Sequence, residues 1–173
     1  MQAQTFLKVI TMDEADLLER LVTLFEEQHV TYCVIGGQGV NAYVEPLVSL
    51  DLDVVIAADQ LEEVERLLVK SFSVKRFPHS LNVGAPGSEL RVQIQTDARY
   101  ADFPTRASLR EVLGRPLKVA ALEDVLQGKI WAALDPERRG SKRQKDLADI
   151  ARLVEAYPPL RGRVPAEILE RLV

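Results

Sequence analysis

Cysteine and histidine are scarce in this chain, which has one cysteine and two histidines among its 173 residues. A single thiol, Cys33, excludes an internal disulfide framework. Its place in the apolar run Tyr32–Ile35 marks it as a small buried hydrophobe rather than a nucleophile. His29 and His79 are far apart and in no metal-ligand spacing, so a zinc centre is not indicated. No apolar run is long enough to cross a bilayer, and the amino end, Met1–Lys8, lacks a basic segment followed by a long apolar core. Neither a membrane anchor nor a signal peptide is therefore expected, and the cytoplasm is the expected location. The excess of positive charge needed to coat nucleic acid broadly is absent too, because the net charge is −4. What remains is an ordinary globular composition, 47% hydrophobic and 28% charged, at the size of one domain.

Read along the chain, Asp13–Gln28 has the spacing of an amphipathic helix, with Leu17, Leu18, Leu21, Leu24 and Phe25 on one face and acids near its start. Thr31–Ile35 reads as a strand ended by Gly36-Gly37, and Gln38–Tyr43 as a two-turn helix that Pro46 prevents from continuing. Val44–Leu50 is then a loop, Leu50–Ala57 a second strand, and Gln60–Phe72 a helix capped by Asp59. Residues 73–83 fit no single period. Glu89–Gln95 alternates cleanly, with Leu90, Val92 and Ile94 on one face and Glu89, Arg91, Gln93 and Gln95 on the other. Leu117–Val119 suggests a short strand, and Leu122–Leu134 a helix stopped by Asp135-Pro136. Ser141, with Gln144 three residues later, has the spacing of a capping box opening a helix that Pro158-Pro159 ends. A last short helix is expected over Ala166–Leu172, and Trp131 is expected in the core. The organisation is one compact unit: a core over 1–120 and a helical segment, 121–173, packed on it.

The candidate chemistry lies between residues 36 and 53. Glycines between a strand and a helix permit close approach of a phosphate to bare N–H groups, or simply a tight turn needing positive φ. Asp51 and Asp53, two apart on a strand, project to one face with Cα atoms roughly 6–7 Å apart. Acids are depleted in strands, and two of them side by side repel. The pair therefore calls for a divalent cation such as magnesium, unless both acids face solvent at a strand edge. Gly37-Gln-Gly39-Val-Asn-Ala42 followed by Asp59 also fits a dinucleotide-binding fingerprint. That reading needs a longer helix than Pro46 allows and leaves Asp51 and Asp53 unexplained. Farther on, Arg138–Lys145 holds five basic residues and no acid, partly in a helix's first turn where cations oppose the dipole. The segment either grips an anion or is a solvated loop. Asp146 and Asp149 share a helical face and can pair with these basics or with Lys129.

Together these residues resemble the nucleotidyltransferase superfamily, and in particular the small bacterial AbiEii-like group that includes toxin nucleotidyltransferases. The likeness rests on Gly36-Gly37 closing a strand, Asp51-Leu52-Asp53 on the next, Lys129, and Lys145-Asp146-Leu-Ala-Asp149. It covers about residues 15–157. It implies an α+β fold, a small mixed sheet flanked by helices with a helical carboxy-terminal segment. It also implies magnesium on Asp51 and Asp53, with the phosphates of a nucleoside triphosphate on Gly36, Gly37 and Gln38. Lys129, Lys145 and Arg143 would bind phosphate, and Asp146 or Asp149 would orient a lysine or activate the acceptor. The reaction implied moves a nucleoside monophosphate to a hydroxyl of an RNA such as a tRNA end, of a protein or of a small molecule. An antitoxin would be a further partner.

Two positions depart from the family pattern. Where relatives place a third carboxylate on the neighbouring strand, this chain has Gln93, an amide that cannot act as an anionic ligand or base. Asp97 has the same strand parity but falls roughly 13 Å farther along a continued strand. Leu47 stands where many relatives have an arginine. The competing expectation is accordingly a member that keeps the scaffold and binds a nucleotide or another protein without catalysis.

Overall fold

The computed structural model describes residues 16–172. Residues 13–15 of the expected first helix, and Met1–Lys8, lie outside them. Helix α1 (16–27) buries Leu17, Leu18, Leu21 and Phe25, the stripe its periodicity predicts. It leads into β1 (Tyr32–Ile35), the short helix α2 (Gly36–Asn41), β2 (Asp51–Ile56) and α3 (Leu61–Ser71). Both glycines thus form the first turn of α2 instead of a turn preceding it. Gly36 does have a positive φ, 65°, as a tight strand-to-helix junction requires. Asp59 does not cap α3. The N-cap is Gln60, whose amide accepts from the Thr31 N–H (2.7 Å) and donates to the His29 carbonyl (3.0 Å), tying α3 to the entry of β1.

The ambiguous stretch from residue 73 is a hairpin of β3 (Ser73–Phe77) and β4 (Ser80–Gly84), followed by β5 (Arg91–Gln95). Two 3₁₀ turns, Ala98–Tyr100 and Phe103–Arg106, lead to β6 (Ser108–Val112) and β7 (Arg115–Val119). Helices α4 (Leu122–Leu134), α5 (Gly140–Ala156) and α6 (Ala166–Leu169) complete the chain. Helix α5 begins at Gly140 without a side-chain cap, so Ser141 is inside its first turn and no capping box forms. No helix among the described residues is long and apolar enough to cross a membrane.

The seven strands form one mixed sheet in the order β3-β4-β5-β2-β1-β7-β6. β2 runs parallel to β5 and β1 parallel to β7, and the other neighbours are antiparallel. Strand alternation divides the core in two. Val34, Leu52, Val54, Ile56, Val92 and Ile94 pack under α1 and α3 on one face. Cys33, Ile35 and Val55 point to the other face, against Val40 of α2, Val125 and Ile130 of α4, and Ile150 and Leu153 of α5. The segment after residue 120 therefore shares an apolar cluster with the central strands. Burial pushes the Cys33 thiol up to about 12, which leaves it inert as a nucleophile.

Helices α2, α4 and α5 lie over β1 and β2 on their face, and α2 also reaches β6. The same face of β5, β4 and β3 is open, and Arg91, Gln93, Asn82 and Lys75 on it are exposed. A cleft forms at this step between helices and bare sheet.

Candidate active site

Asp51 and Asp53 open β2 at the edge of the covered area, on the face shared with Val55. Their position is fixed by the loop before them. Gln38, buried on α2, donates to the Ser49 carbonyl (2.9 Å), and the Asn41 amide exchanges two hydrogen bonds with the Leu47 backbone (2.7 and 3.0 Å). Arg152 of α5 donates to the Glu45 carbonyl (2.6 Å) and to Asn41 Oδ1 (3.2 Å). The Ser49 hydroxyl accepts from the Asp51 N–H (3.2 Å). Leu47 itself is 59% exposed on the cleft wall and supplies no charge there.

Asp53 is packed tightly against α2. It pairs in register with Ile35 of β1 and with Gln93 of β5. A Cβ added at Gly36 would overlap its Oδ2 and come within 3.0 Å of its Cγ, so only glycine leaves room for the carboxylate. A Cβ at Gly37 would meet nothing within 4 Å, and this residue faces the cleft. Burial pushes the Asp53 carboxyl up to about 6, Lys129 opposing and Asp51 reinforcing the shift. Asp51 is more open, with 44% of its side chain exposed, and its Oδ1 pairs with Arg91 Nε at 2.8 Å.

The helical wall carries a second pair of acids. Lys129 of α4 is buried, and its Nζ lies 3.1 Å from Asp146 Oδ1 and 2.9 Å from Asp149 Oδ2 of α5. Asp146, 1% exposed, also accepts from the Arg138 guanidinium on both oxygens (2.9 and 3.1 Å). Asp149 takes a second cation, Arg152, at 2.8 Å. Burial lowers the Lys129 pKa, but Asp149 and Asp146 outweigh it, so the ammonium is held above its ordinary value and stays charged.

Asp51, Asp53, Gly37, Lys129, Lys145, Asp146 and Asp149 therefore border one cleft of about 710 Å³. Three expected site residues stand apart from its lining. Gly36 lies behind Asp53, and Gln38 holds the loop from below. Arg143, expected to bind the nucleotide, is turned away. Its guanidinium donates to the carbonyls of Ala133 (3.1 Å), Asp135 (2.8 Å) and Arg138 (3.2 Å). That puts its charge at the carboxyl end of α4, where the helix dipole favours a cation, rather than at the amino end of α5. Asp97 does not supply the missing acid. β5 ends at Gln95, and Asp97 caps a 3₁₀ turn through the Arg99 N–H (2.9 Å) and guanidinium. Arg138, from the basic segment, lines the cleft as well, and so do Asn41, Arg91 and Arg152, for which no site role was expected, since strand register and helix docking alone bring them in.

The described residues contain no group of three or more His, Cys, Asp or Glu able to hold a metal ion by themselves. Two carboxylates on one face, one of them destabilised when ionised, are nonetheless a partial coordination set. Magnesium is commonly held this way, by one or two carboxylates completed by water and substrate phosphates. The donor set fits such an ion and does not fit a site built from protein ligands alone.

No protein-family model matches the chain, and no curated protein sequence does. Solved structures do. The solution structure of the antibiotic-resistance factor ANT(2'')-Ia aligns over 91% of this chain and 95% of its own, with TM-score 0.57 and 13% identity. The lincomycin-bound lincosamide antibiotic adenylyltransferase LnuA aligns over 79% of this chain and 95% of its own, with TM-score 0.53 and 15% identity. A putative nucleotidyltransferase from Thermotoga maritima aligns over 67% and 82%, with TM-score 0.50 and 16% identity. At these identities the likeness is one of architecture: a mixed sheet flanked by helices, in the nucleotidyltransferase fold.

Proposed function

We propose that this protein transfers a nucleoside monophosphate from a nucleoside triphosphate to an acceptor hydroxyl, with magnesium shared between Asp51, Asp53 and the substrate phosphates. The observation that carries this reading is Asp53. Its carboxyl is pushed up to about 6 at the floor of a cleft, with no ion pair of its own among the described residues. A site that leaves an acid short of positive charge is suited to a ligand that brings it.

When bound, magnesium would neutralise charge on the phosphates near the scissile bond. The chain's own groups do the rest. Gly37 offers a surface without a side chain at the start of α2, whose first N–H groups have no side-chain cap, and phosphate oxygens can accept from them. Lys145 projects from α5 over the same cleft and balances the charge of the leaving pyrophosphate. Lys129 keeps its charge and adds positive potential at Asp53. Asp146 and Asp149, each engaged by two cations, hold Lys129, Arg138 and Arg152 in place, which favours the orienting role over acceptor activation. Gln93, in register beside Asp53, can accept a hydrogen bond from the acceptor hydroxyl and fix its direction, but it takes no proton. Catalysis in this arrangement rests on positioning and electrostatic stabilisation.

Membership of the AbiEii-like, toxin-type group, with an antitoxin partner, is part of this proposal, supported by the motif residues Lys129, Lys145, Asp146 and Asp149; action in the cytoplasm is proposed with it. Incubation with α-labelled nucleoside triphosphates, magnesium and RNA, protein or small-molecule acceptors tests the reaction. Labelled acceptor with released pyrophosphate is expected. Gln93 in the third carboxylate's place supports a second reading, a nucleotide-binding domain without catalysis. Magnesium-dependent binding with no pyrophosphate release for any nucleotide would select it.

A further inference from the structure

The open half of the sheet carries a row of residues that runs across the strands on the cleft side. The row is Asp53, Gln93, Asn82 and Lys75, set in register from β2 through β5 and β4 to β3; beside it lie two further pairs, Asp51 with Arg91 and Gly84 with Ser73. All eight residues line the cleft. Neighbouring strands are spaced about 4.8 Å apart, so Lys75 lies roughly 14 Å from Asp53 on the same face. A triphosphate held at Gly37, Asp53 and Lys145 is on the helical side of the cleft, and Lys75 is three strands away on the opposite rim. The donor nucleotide therefore does not account for it.

The chemistry of this floor is specific. Beyond β2 it holds two cations, two amides and a hydroxyl, with no acid, and Gly84 leaves a strip without a side chain. Lys75 is exposed and forms no ion pair among the described residues; its Nζ lies 5.3 Å from the centroid of the Phe77 ring. The whole cleft lining counts eight Lys and Arg against four Asp, in a chain whose net charge is −4. Such a local reversal of sign concentrates anions and repels cations.

We propose that the face formed by β3, β4 and β5 is the acceptor floor, and that the acceptor it takes bears a phosphate group bound by Lys75 at the far end of the cleft. Gln93 and Asn82 would hydrogen-bond the part of the acceptor between that phosphate and the reacting hydroxyl. This rests on the transferase reading of Asp51 and Asp53. A phosphodiester strand and a phosphorylated small molecule present the same group, and the test separates them.

Binding is measured directly, by calorimetry, for a 5′-phosphorylated ribotrinucleotide, ribose 5-phosphate, the polycation spermine and ATP with magnesium. The proteins are the unmodified chain, Lys75→Gln and Lys75→Glu. Expected is a loss of about tenfold for Lys75→Glu and a smaller loss for Lys75→Gln with at least one phosphate probe, while ATP affinity stays within about twofold. Dependence confined to the trinucleotide, with a salt slope reduced by about one, assigns a nucleic-acid strand; dependence shared by ribose 5-phosphate assigns a small phosphorylated acceptor. The proposal is overturned if neither phosphate probe binds, if charge reversal at Lys75 leaves both unaffected, if ATP binding falls equally, or if spermine binds more tightly than both. Failure of ATP to bind the unmodified chain would instead remove the donor reading and leave a Lys75-dependent phosphate site standing.

Discussion

The cleft holds two pairs of aspartates, and they are treated in opposite ways. Asp146 and Asp149 on α5 are met by Lys129 between them, with Arg138 added to the first and Arg152 to the second. Among the described residues, Asp51 and Asp53 on β2 have one exposed partner, Arg91, and it reaches only Asp51. The helical pair is compensated by these cations and ties α4 to α5 and, through Arg152, α5 to the loop before β2. The strand pair is left short of positive charge at the place where α2 ends its cover. Breaking a completed buried network is expected to cost stability, whereas neutralising an uncompensated acid is expected to add it.

Asp146→Ala sharpens the contrast most. It leaves Lys129 with Asp149 alone and takes its partner from Arg138, whose side chain is 31% exposed, and urea unfolding is expected to show a loss of about 3 kcal/mol. Asp53→Asn should do the reverse in metal-free buffer, stabilising by up to about 3 kcal/mol near neutral pH, less whatever solvent contact the carboxylate keeps. The sign follows from its raised folded-state value, about 6 against an ordinary 3.8. The folded chain holds this proton more tightly than the unfolded one. Its stabilising contribution is therefore fully present below about 3.8 and is lost as pH rises through about 6. The metal-free wild type should lose stability over that window relative to Asp53→Asn, and equal pH profiles for the two would break the comparison.

Smaller effects test the geometry. Gly36→Ala must accommodate a methyl against Asp53 with φ at 65°, and a loss of roughly 1–3 kcal/mol is expected together with displaced cation binding. Gly37→Ala, with open space at its Cβ, is the matched control and should be nearly silent in stability. Arg91→Ala removes an exposed pair, so stability should change by less than about 1 kcal/mol. The freed Asp51 should then bind magnesium more tightly, by calorimetric titration. Unchanged or weaker metal binding would show that Arg91 does not compete for this carboxylate.

Most of the acidic and glycine framework was legible in the sequence, because apolar alternation and helical spacing are strong around it. Strand parity placed Asp51 and Asp53 on one face, and helical spacing placed Asp146 and Asp149 on another, with Lys129 as one of the partners within reach. The open floor was not legible. β3, β4 and β6 lie toward the sheet's two edges, and exposed polar residues such as Lys75, Asn82 and Arg110 leave little alternation to read. Register was the other missing quantity. Gln93 could be named from parity, but only the parallel pairing of β2 with β5 sets it beside Asp53 and sets Arg91 beside Asp51. Arg143 lies apart from the cleft lining for a different reason. A cation in a helix's first turn invites an anion, yet its length lets it reach back and cap the preceding helix instead.

On the proposed reading the strand pair takes its cation together with a nucleotide. Calorimetric titration of nucleoside triphosphates into the wild type and Asp53→Asn, at about pH 7.5 where Asp53 is ionised, with magnesium or with chelator, tests it most directly. At least one nucleotide should bind the wild type roughly tenfold more tightly with magnesium than without, and Asp53→Asn should abolish that difference. Nucleotide affinity independent of magnesium in the wild type, or an undiminished magnesium effect in Asp53→Asn, would show that Asp53 holds no cation carried by the nucleotide.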